Sequence, residues 1–192
     1  VEAMTMGDRV AVIKDGVLQQ VDTPQNLYDN PTNVFVAAFI GSPSMNLYEG
    51  SIALDDTGAT VTLGSQSLHI PTDVLDSHPD LREHDGKKLI VGIRPEDMDD
   101  ASLLAEHPEG QQHKATVDLI EALGADILDH NKLDAPSVDS RDPDAEDLSS
   151  GDVRPSVGRF NPRSRVRLDE EVTIAVSVER LKFFDAATRL AI

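Results

Sequence analysis

The chain has 192 residues, no Cys and no Trp, and 35 acidic against 17 basic residues give a formal net charge of −18. The absence of Cys excludes disulfides and thiolate metal sites. The negative charge argues against binding to nucleic acid or to an acidic membrane surface, because both depend on Lys and Arg. No apolar run reaches the roughly 18–20 residues that span a bilayer, and the first residues lack a signal-peptide pattern, so we expect a soluble intracellular protein without direct membrane insertion.

The N-terminal part of the chain predicts a β-hairpin. Residues 9–13 and 17–21 are apolar and rich in β-branched side chains, which favours strands. Asp15 and Gly16 lie between them and form the two-residue sequence that hairpin turns prefer, since Gly tolerates positive φ.

Two short helices are predicted after the hairpin. Thr23 and Pro24 have the pattern of an N-cap followed by Pro at the first helical position, which predicts a helix over 25–30. The apolar run 34–40 fits either a helix or a buried strand, and Gly41 at a C-terminal capping position favours a helix.

The segment from Gly41 to Ser44 contains Gly, Ser and Pro, and predicts a domain boundary that divides the chain into 1–42 and 43–192. Beyond it, short β-branched segments alternate with turns, which is typical of a β-barrel or sandwich. The predicted strands are 47–54, 59–63, 67–70, 88–93, 114–120, 125–130, 165–168, 172–178, 182–184 and 189–192.

An acidic stretch at about 131–158 interrupts this pattern. Its acidic residues are separated by Pro, Ser and Gly, which predicts a solvated surface loop where proteases cleave first, between Ala135 and Pro155. A calcium loop is a poor alternative because the order of ligands and the closing Glu are missing. The acidic residues are Asp134, Asp139, Asp142, Asp144, Glu146, Asp147 and Asp152.

The sequence predicts no catalytic, cofactor-binding or metal-binding residue in this chain. The phosphate-loop pattern G-x-x-x-x-G-K-[ST] is absent. The six histidines show no metal-binding spacing, so solvated loop positions are the expected interpretation. They are His69, His78, His84, His107, His113 and His130.

Two segments have both a structural and a functional interpretation. Residues 92–97 end an apolar strand at Pro95, and Arg94 can reach a carboxylate at the turn, so a strand exit with a local ion pair is predicted. Residues 121–126 lie between two strands. Gly124 fits a bend at a barrel corner, and a ligand-contacting loop is the alternative.

The order and spacing of several pieces resemble the ATPase subunits of carbohydrate ABC importers of the maltose and trehalose type. These pieces are Val1-Glu2-Ala3-Met4-Thr5, Asp8-Arg9-Val10-Ala11-Val12, Asp15-Gly16, Gln19-Gln20-Val21, Thr23-Pro24, Leu27-Tyr28, Pro31, Phe35-Val36-Ala37, Phe39-Ile40-Gly41-Ser42-Pro43 and Met45-Asn46. The resemblance implies that 1–42 is the α/β end of an ATP-binding domain whose phosphate loop, signature motif and catalytic Glu lie upstream. It also implies a mainly β protein, in which 43–192 forms a regulatory β-barrel of the OB or TOBE type.

The resemblance extends, more loosely, to three motifs of that regulatory domain. Residues 92–97 look like the strand-end motif of the family, 117–124 like the following strand and corner, and 178–185 like the closing strand pair, where Val178 replaces a frequent Pro. The structural or regulatory residues that the resemblance implies are Gly92, Arg94, Pro95, Glu96, Gly124, Glu179 and Arg180.

The resemblance also implies the partners. The chain would be the non-catalytic part of a subunit that binds ATP and Mg²⁺, pairs as a homodimer through the regulatory domain, and meets transmembrane permease subunits through its ATPase core at the inner face of the membrane. An alternative is an OB-type module that binds a small ligand, an oxyanion or a sugar. Nucleic acid is disfavoured by the charge and by the scarcity of aromatic residues.

Overall fold

The computed structural model describes residues 2–139 and 155–192 of the chain. The N-terminal part consists of a two-stranded antiparallel hairpin and three short helices. Their bounds are α1 (Glu2–Met6), β1 (Val10–Lys14), β2 (Val17–Asp22), α2 (Pro24–Asp29) and α3 (Val34–Phe39).

Local signals determine these elements, as the sequence predicts. Asp15 and Gly16 both have positive φ, 50° and 77°, which suits the right-handed twist of a hairpin. The hydroxyl of Thr23 accepts a hydrogen bond from the backbone N–H of Asn26 and caps α2. The side chain of Asn33 does the same for the N–H of Val36 and caps α3. The apolar run 34–40 is therefore a helix.

The rest of the described chain forms two antiparallel five-stranded sheets. In the first, the strand order is β12-β6-β3-β4-β5, and in the second it is β10-β9-β8-β11-β7. The first sheet comprises β3 (Asn46–Asp55), β4 (Gly58–Leu63), β5 (Gln66–Pro71), β6 (Lys88–Ile93) and β12 (Lys182–Asp185). The second comprises β7 (Met98–Asp100), β8 (Gln112–Ala122), β9 (Ile127–Lys132), β10 (Ser156–Phe160) and β11 (Glu171–Val176). One further helix, α4 (Thr72–Asp76), and a 3₁₀ turn (Pro79–His84) connect β5 to β6.

A single apolar core lies between the two sheets. Val61 and Leu89 from the first sheet contact Ile174 from the second, together with Phe160, and all four are at most 1% exposed. This arrangement confirms the predicted mainly β, barrel-like body of the OB type. Burial of Val, Ile and Leu from both sheets supplies the main driving force, since each such side chain contributes about 1.5–3 kcal/mol on full burial.

The N-terminal part packs on the outer face of the first sheet. Val34 and Ala37 of α3 contact Leu47, Ile90 and Phe184, which come from β3, β6 and β12. The two parts of the chain therefore share a buried apolar interface. Among the residues that the structure describes, no helix has the length and apolar character needed to cross a membrane.

Two predicted strands are absent from the structure, and two observed strands are absent from the prediction. Residues 165–168 form no strand, and 189–192 make only isolated bridges to Asn33 and Phe184. Conversely, β7 and β10 are strands that the sequence pattern did not predict.

The predicted bounds of the acidic loop are also wrong. Strand β9 continues to Lys132, Leu133 and Ala135 are buried in the core, and Ser156 begins β10. The backbone around Asp134 also lies directly against that of Gly64, because a Cβ on Gly64 would overlap the carbonyl oxygen of Asp134. Ala135 is buried in the core and Val138 packs beside α3, so this end of the predicted loop is ordered, and the remainder, 140–154, lies outside the described residues. The predicted cleavage between Ala135 and Pro155 stays a prediction.

Candidate functional site

The most distinctive polar site lies where the N-terminal part meets the barrel. Arg94 follows β6 and is 3% exposed. Its Nη1 donates to the carbonyl of Ile40 at 2.8 Å, and its Nη2 donates to the carbonyl of Tyr28 at 2.6 Å. The guanidinium also stacks on the ring of Tyr28, with Cζ 3.6 Å from the ring centroid. We call Arg94, Tyr28 and Ile40 the Arg94 clamp.

Glycine at position 41 makes this approach possible. Gly41 has φ of +130°, a value that L side chains rarely adopt. A Cβ at this position would lie 2.9 Å from Nη1 of Arg94. The glycine thus ends α3 and leaves room for the guanidinium to reach the carbonyl of Ile40.

Two charged side chains at the clamp, Arg94 and Asp97, have pKa values that are shifted mainly by burial. Burial lowers the pKa of Arg94 to about 10, which leaves it charged at neutral pH. Burial, followed by the neighbouring carboxylate of Glu96, raises the pKa of Asp97 to about 6. The hydroxyl of Tyr28 donates to Oε1 of Glu96. Arg180 lies 3.7 Å from Asp97, at Nε to Oδ1.

The structure brings most of the predicted motif residues together. Arg94, Glu96 and Arg180 line one small cleft, next to Asp97 and Lys182. The cleft has a volume of about 40 Å³, which leaves room for a few water molecules. Its remaining lining residues are Tyr28 and Asp29.

The other motif residues lie in turns or within the sheet. Pro95 starts a 3₁₀ turn (Pro95–Asp97), and the charge of Glu179 adds to the raised pKa of Asp97. Gly92 pairs within the sheet, and a Cβ there would overlap Sδ of Met45. Gly124 lies apart, in the turn between β8 and β9, with φ of +86° and open space around it.

Two features of this site do not follow from the sequence pattern. Tyr28 and Lys182 occur there only within longer segments, and a carboxylate partner is predicted for Arg94 where the structure shows two backbone carbonyls.

One histidine elsewhere in the fold also differs from the prediction. The sequence predicts solvated histidines, whereas His113 lies in β8, is 2% exposed and has no hydrogen bond at either ring nitrogen. Burial lowers the pKa of His113 to about 4.

The clamp is suited to holding two parts of a protein together. It offers no nucleophile with an adjacent base, and its cation is committed to carbonyl groups and a ring face. Within 2–139 and 155–192, no group of three or more His, Asp or Glu side chains is arranged to hold a metal ion.

The two sheets form a barrel-like body of the OB type, and Arg94 holds the N-terminal part against it. Residues 41–98 match the family model described as the MalK OB fold domain. Among solved structures, the cytoplasmic molybdate-binding protein ModG has a TM-score of 0.45 at 10% identity, covering 72% of this chain and 94% of that chain. This likeness is too distant to bear on function.

Sequence relatives are much closer. The chain is 34% identical over 193 residues to the oligosaccharides import ATP-binding protein MsmX of Bacillus subtilis, and 36% identical over 193 residues to the trehalose/maltose import ATP-binding protein MalK of Thermococcus litoralis. Each match covers 100% of this chain and 46% of the relative. The chain belongs to the family of ATP-binding subunits of carbohydrate ABC importers, and it spans about half the length of the curated relatives it matches.

Proposed function

We propose that this chain is the regulatory and dimerisation region of the ATP-binding subunit of a sugar ABC importer. The whole subunit would bind ATP and Mg²⁺, hydrolyse ATP, and meet transmembrane permease subunits at the cytoplasmic face of the membrane. The names of the relatives, which describe import of oligosaccharides, trehalose and maltose, support this proposal.

The observation that carries the regulatory role is the Arg94 clamp. A guanidinium from the barrel holds the backbone of the N-terminal part at two points, Tyr28 and Ile40. Charge-assisted hydrogen bonds of this kind are worth roughly 1.5–3 kcal/mol each when buried. A shift of the barrel would therefore move residues 1–42, which we assign to the end of the ATP-binding domain.

The proposal includes self-association of the barrel. Each chain has a formal net charge of −18, so long-range electrostatic repulsion opposes pairing. Salt screens this repulsion over a Debye length of about 10 Å at 0.1 M, so association should strengthen as salt rises. A twofold interface would place the same surface of each copy face to face.

The proposal also predicts that this chain alone does not hydrolyse ATP. Phosphoryl transfer needs a cradle of backbone N–H groups, a Lys on the phosphates and a held Mg²⁺. The phosphate-loop sequence that builds this cradle is absent from the 192 residues.

Two measurements on this chain test the proposal. Sedimentation at low and high salt should show a dimer that tightens with salt, and a titration with Mg²⁺ and ATP should show no tight binding. A strict monomer at high salt and high concentration would contradict the dimerisation role. Tight, Mg²⁺-dependent ATP binding would contradict the non-catalytic role.

A further inference from the structure

A cavity of about 300 Å³ lies between the N-terminal part and the barrel, next to the Arg94 clamp. The end of α2, the turn after α4, strand β12 and the last residues of the chain all contribute to its walls. We call this space the junction cavity. The lining side chains used below are Asp29, Thr32, His78, Lys182 and Phe183.

The junction cavity contains two polar side chains without a hydrogen-bond partner among the described residues. Lys182 is half-buried, and its ammonium makes no hydrogen bond or ion pair with any residue in 2–139 or 155–192. The ring of His78 lies edge-on to Phe183 at 5.7 Å, and its nitrogens make no hydrogen bond with the same residues. Both groups can donate a hydrogen bond to a ligand in the cavity.

The two groups are close enough to affect each other. Burial lowers the pKa of His78, and the charge of Lys182 lowers it further. Burial also lowers the pKa of Lys182, against the opposing effect of the Asp29 carboxylate. An anion bound near both groups would stabilise a half-buried cation that lies beside a second potential cation.

The remaining charges around Lys182 are of both signs. Arg94 and Arg180 add positive charge, and Asp97 adds negative charge. Neither arginine lines the junction cavity, whereas Lys182 lines both this cavity and the small cleft beside the clamp. Asp29 is the carboxylate in the wall, and its Oδ2 already accepts a hydrogen bond from Gln25 at 2.7 Å.

We propose that the junction cavity binds a small organic phosphate that carries hydroxyl groups, of the size of a hexose phosphate. Lys182 and His78 hold the phosphate, whose three terminal oxygens accept several hydrogen bonds. Asp29 and Thr32 contact hydroxyl groups of the ligand, and Phe183 lies beside its apolar face. The volume is at the lower end of the roughly 300–1,000 Å³ found for small-molecule sites, which suits a ligand of this size.

This site goes beyond the proposed regulatory role and does not depend on self-association. Because its walls come from both the N-terminal part and the barrel, a bound phosphate stabilises their contact. Anion binding also favours the imidazolium form of His78, so the ligand raises the pKa of that residue.

The experiment follows the ring signals of His78 by NMR across pH, with His78→Gln used for assignment. The probes are glucose 6-phosphate, glucose and inorganic phosphate, each at millimolar concentration. Glucose 6-phosphate is expected to raise the pKa of His78 and to bind more tightly than inorganic phosphate, whereas glucose has no effect. Lys182→Met is expected to weaken binding at least tenfold, and Lys182→Arg to retain it.

The control variant is Lys114→Met, which removes an exposed lysine that pairs with Glu171 at 2.9 Å on the second sheet and should leave binding unchanged. Circular dichroism checks that each variant is folded. The proposal is overturned if glucose 6-phosphate leaves the His78 titration unchanged, or if Lys182→Met binds as tightly as the unmodified chain. An equal response to inorganic phosphate overturns the organic part of the assignment. None of these outcomes depends on whether the chain dimerises or binds ATP.

Discussion

The side-chain amide of Asn46 forms a hydrogen-bonded pair with the backbone of Val157. Oδ1 of Asn46 accepts from the N–H of Val157 at 2.8 Å, and Nδ2 donates to the carbonyl of Val157 at 2.9 Å. The same Nδ2 also donates to the carbonyl of Ile93 at 3.1 Å. Asn46 begins β3, the central strand of the first sheet, and Val157 lies in β10, an edge strand of the second, so one side chain acts as a peptide group that joins the two sheets.

Replacing this amide should weaken the barrel. Asn46→Ala leaves the polar groups of Val157 without their partner, and each buried unpaired group costs about 1–3 kcal/mol. We expect a loss of about 2–4 kcal/mol in the free energy of unfolding, measured by urea denaturation. Asn30→Ala is the control, because the exposed amide of Asn30 donates only to Asn26, four residues earlier. Equal stability of the two variants would show that the sheets do not depend on Asn46.

Breaking the Arg94 clamp should loosen the N-terminal part. Arg94→Met keeps an unbranched side chain but leaves the carbonyls of Tyr28 and Ile40 unpaired, with an expected cost of about 2–4 kcal/mol. Hydrogen exchange should rise in β1, β2 and α2 more than in the core of the barrel. Arg180→Met, at an exposed arginine of the same cleft, should change stability by less than about 1 kcal/mol. Unchanged exchange in Arg94→Met would contradict the clamp.

The contact between Gly64 and residue 134 gives a test of the corrected loop boundary. Gly64→Ala places a Cβ against the carbonyl of Asp134, and neither backbone can move without disturbing Leu133 and Ala135 in the core. We expect a loss of at least about 3 kcal/mol. Gly124 also has positive φ, but an added Cβ there would meet open space. Gly124→Ala should therefore lower the free energy of unfolding by only about 1–2 kcal/mol. Similar losses would mean that backbone strain alone, without packing of 131–139, explains the effect.

Local sequence signals correctly predicted the elements whose structure depends on residues close to one another in the sequence. The Asp15–Gly16 turn and the Thr23 cap act within a few residues, and both appear as expected. The wrong strand at 165–168 has suitable alternation but pairs with no neighbouring strand, because a strand needs a free partner edge that the pattern cannot show. Strand β7 has only three residues, too few for a periodic signal.

The candidate site depends on contacts that are distant in the sequence. Arg94 bonds to carbonyls 54 and 66 residues away, and any residue can supply a carbonyl, so no residue type marks the partner. The resemblance pointed to Arg94, Glu96 and Arg180, and the structure places these three around one cleft. Tyr28 on α2 and Lys182 at the start of β12 line the same cleft although they are far apart in the sequence, which the sequence pattern alone does not predict.

The buried carboxylate of Asp97 should make stability fall as pH rises. Its pKa in the folded chain is about 6, above the ordinary 3.8, so the folded state holds the proton more tightly than the unfolded state. The stabilisation is therefore complete below about pH 4 and is lost as pH rises through 6. Asp97→Asn should stabilise the chain at pH 8 by up to about 3 kcal/mol and have little effect at pH 4. Thermal unfolding at both pH values measures this, and an effect of equal size at the two would contradict the raised pKa.

The unpaired His113 should have the opposite pH dependence. Burial lowers its pKa to about 4, so the unfolded chain binds the proton more readily, and the stability that the neutral ring contributes above about pH 6.5 is lost as pH falls towards 4. His113→Leu removes this titration and also removes two buried nitrogens that have no hydrogen bond. We expect a stabilising variant whose advantage is about 2 kcal/mol larger at pH 5 than at pH 8, measured by urea denaturation at both. His107→Leu is the control, because this half-buried ring already bonds the carbonyl of Gln111 at 3.0 Å and should show no such gain. If the advantage of His113→Leu is the same at both pH values, the ring does not titrate with a lowered pKa, and a partner for its nitrogens must exist in solution.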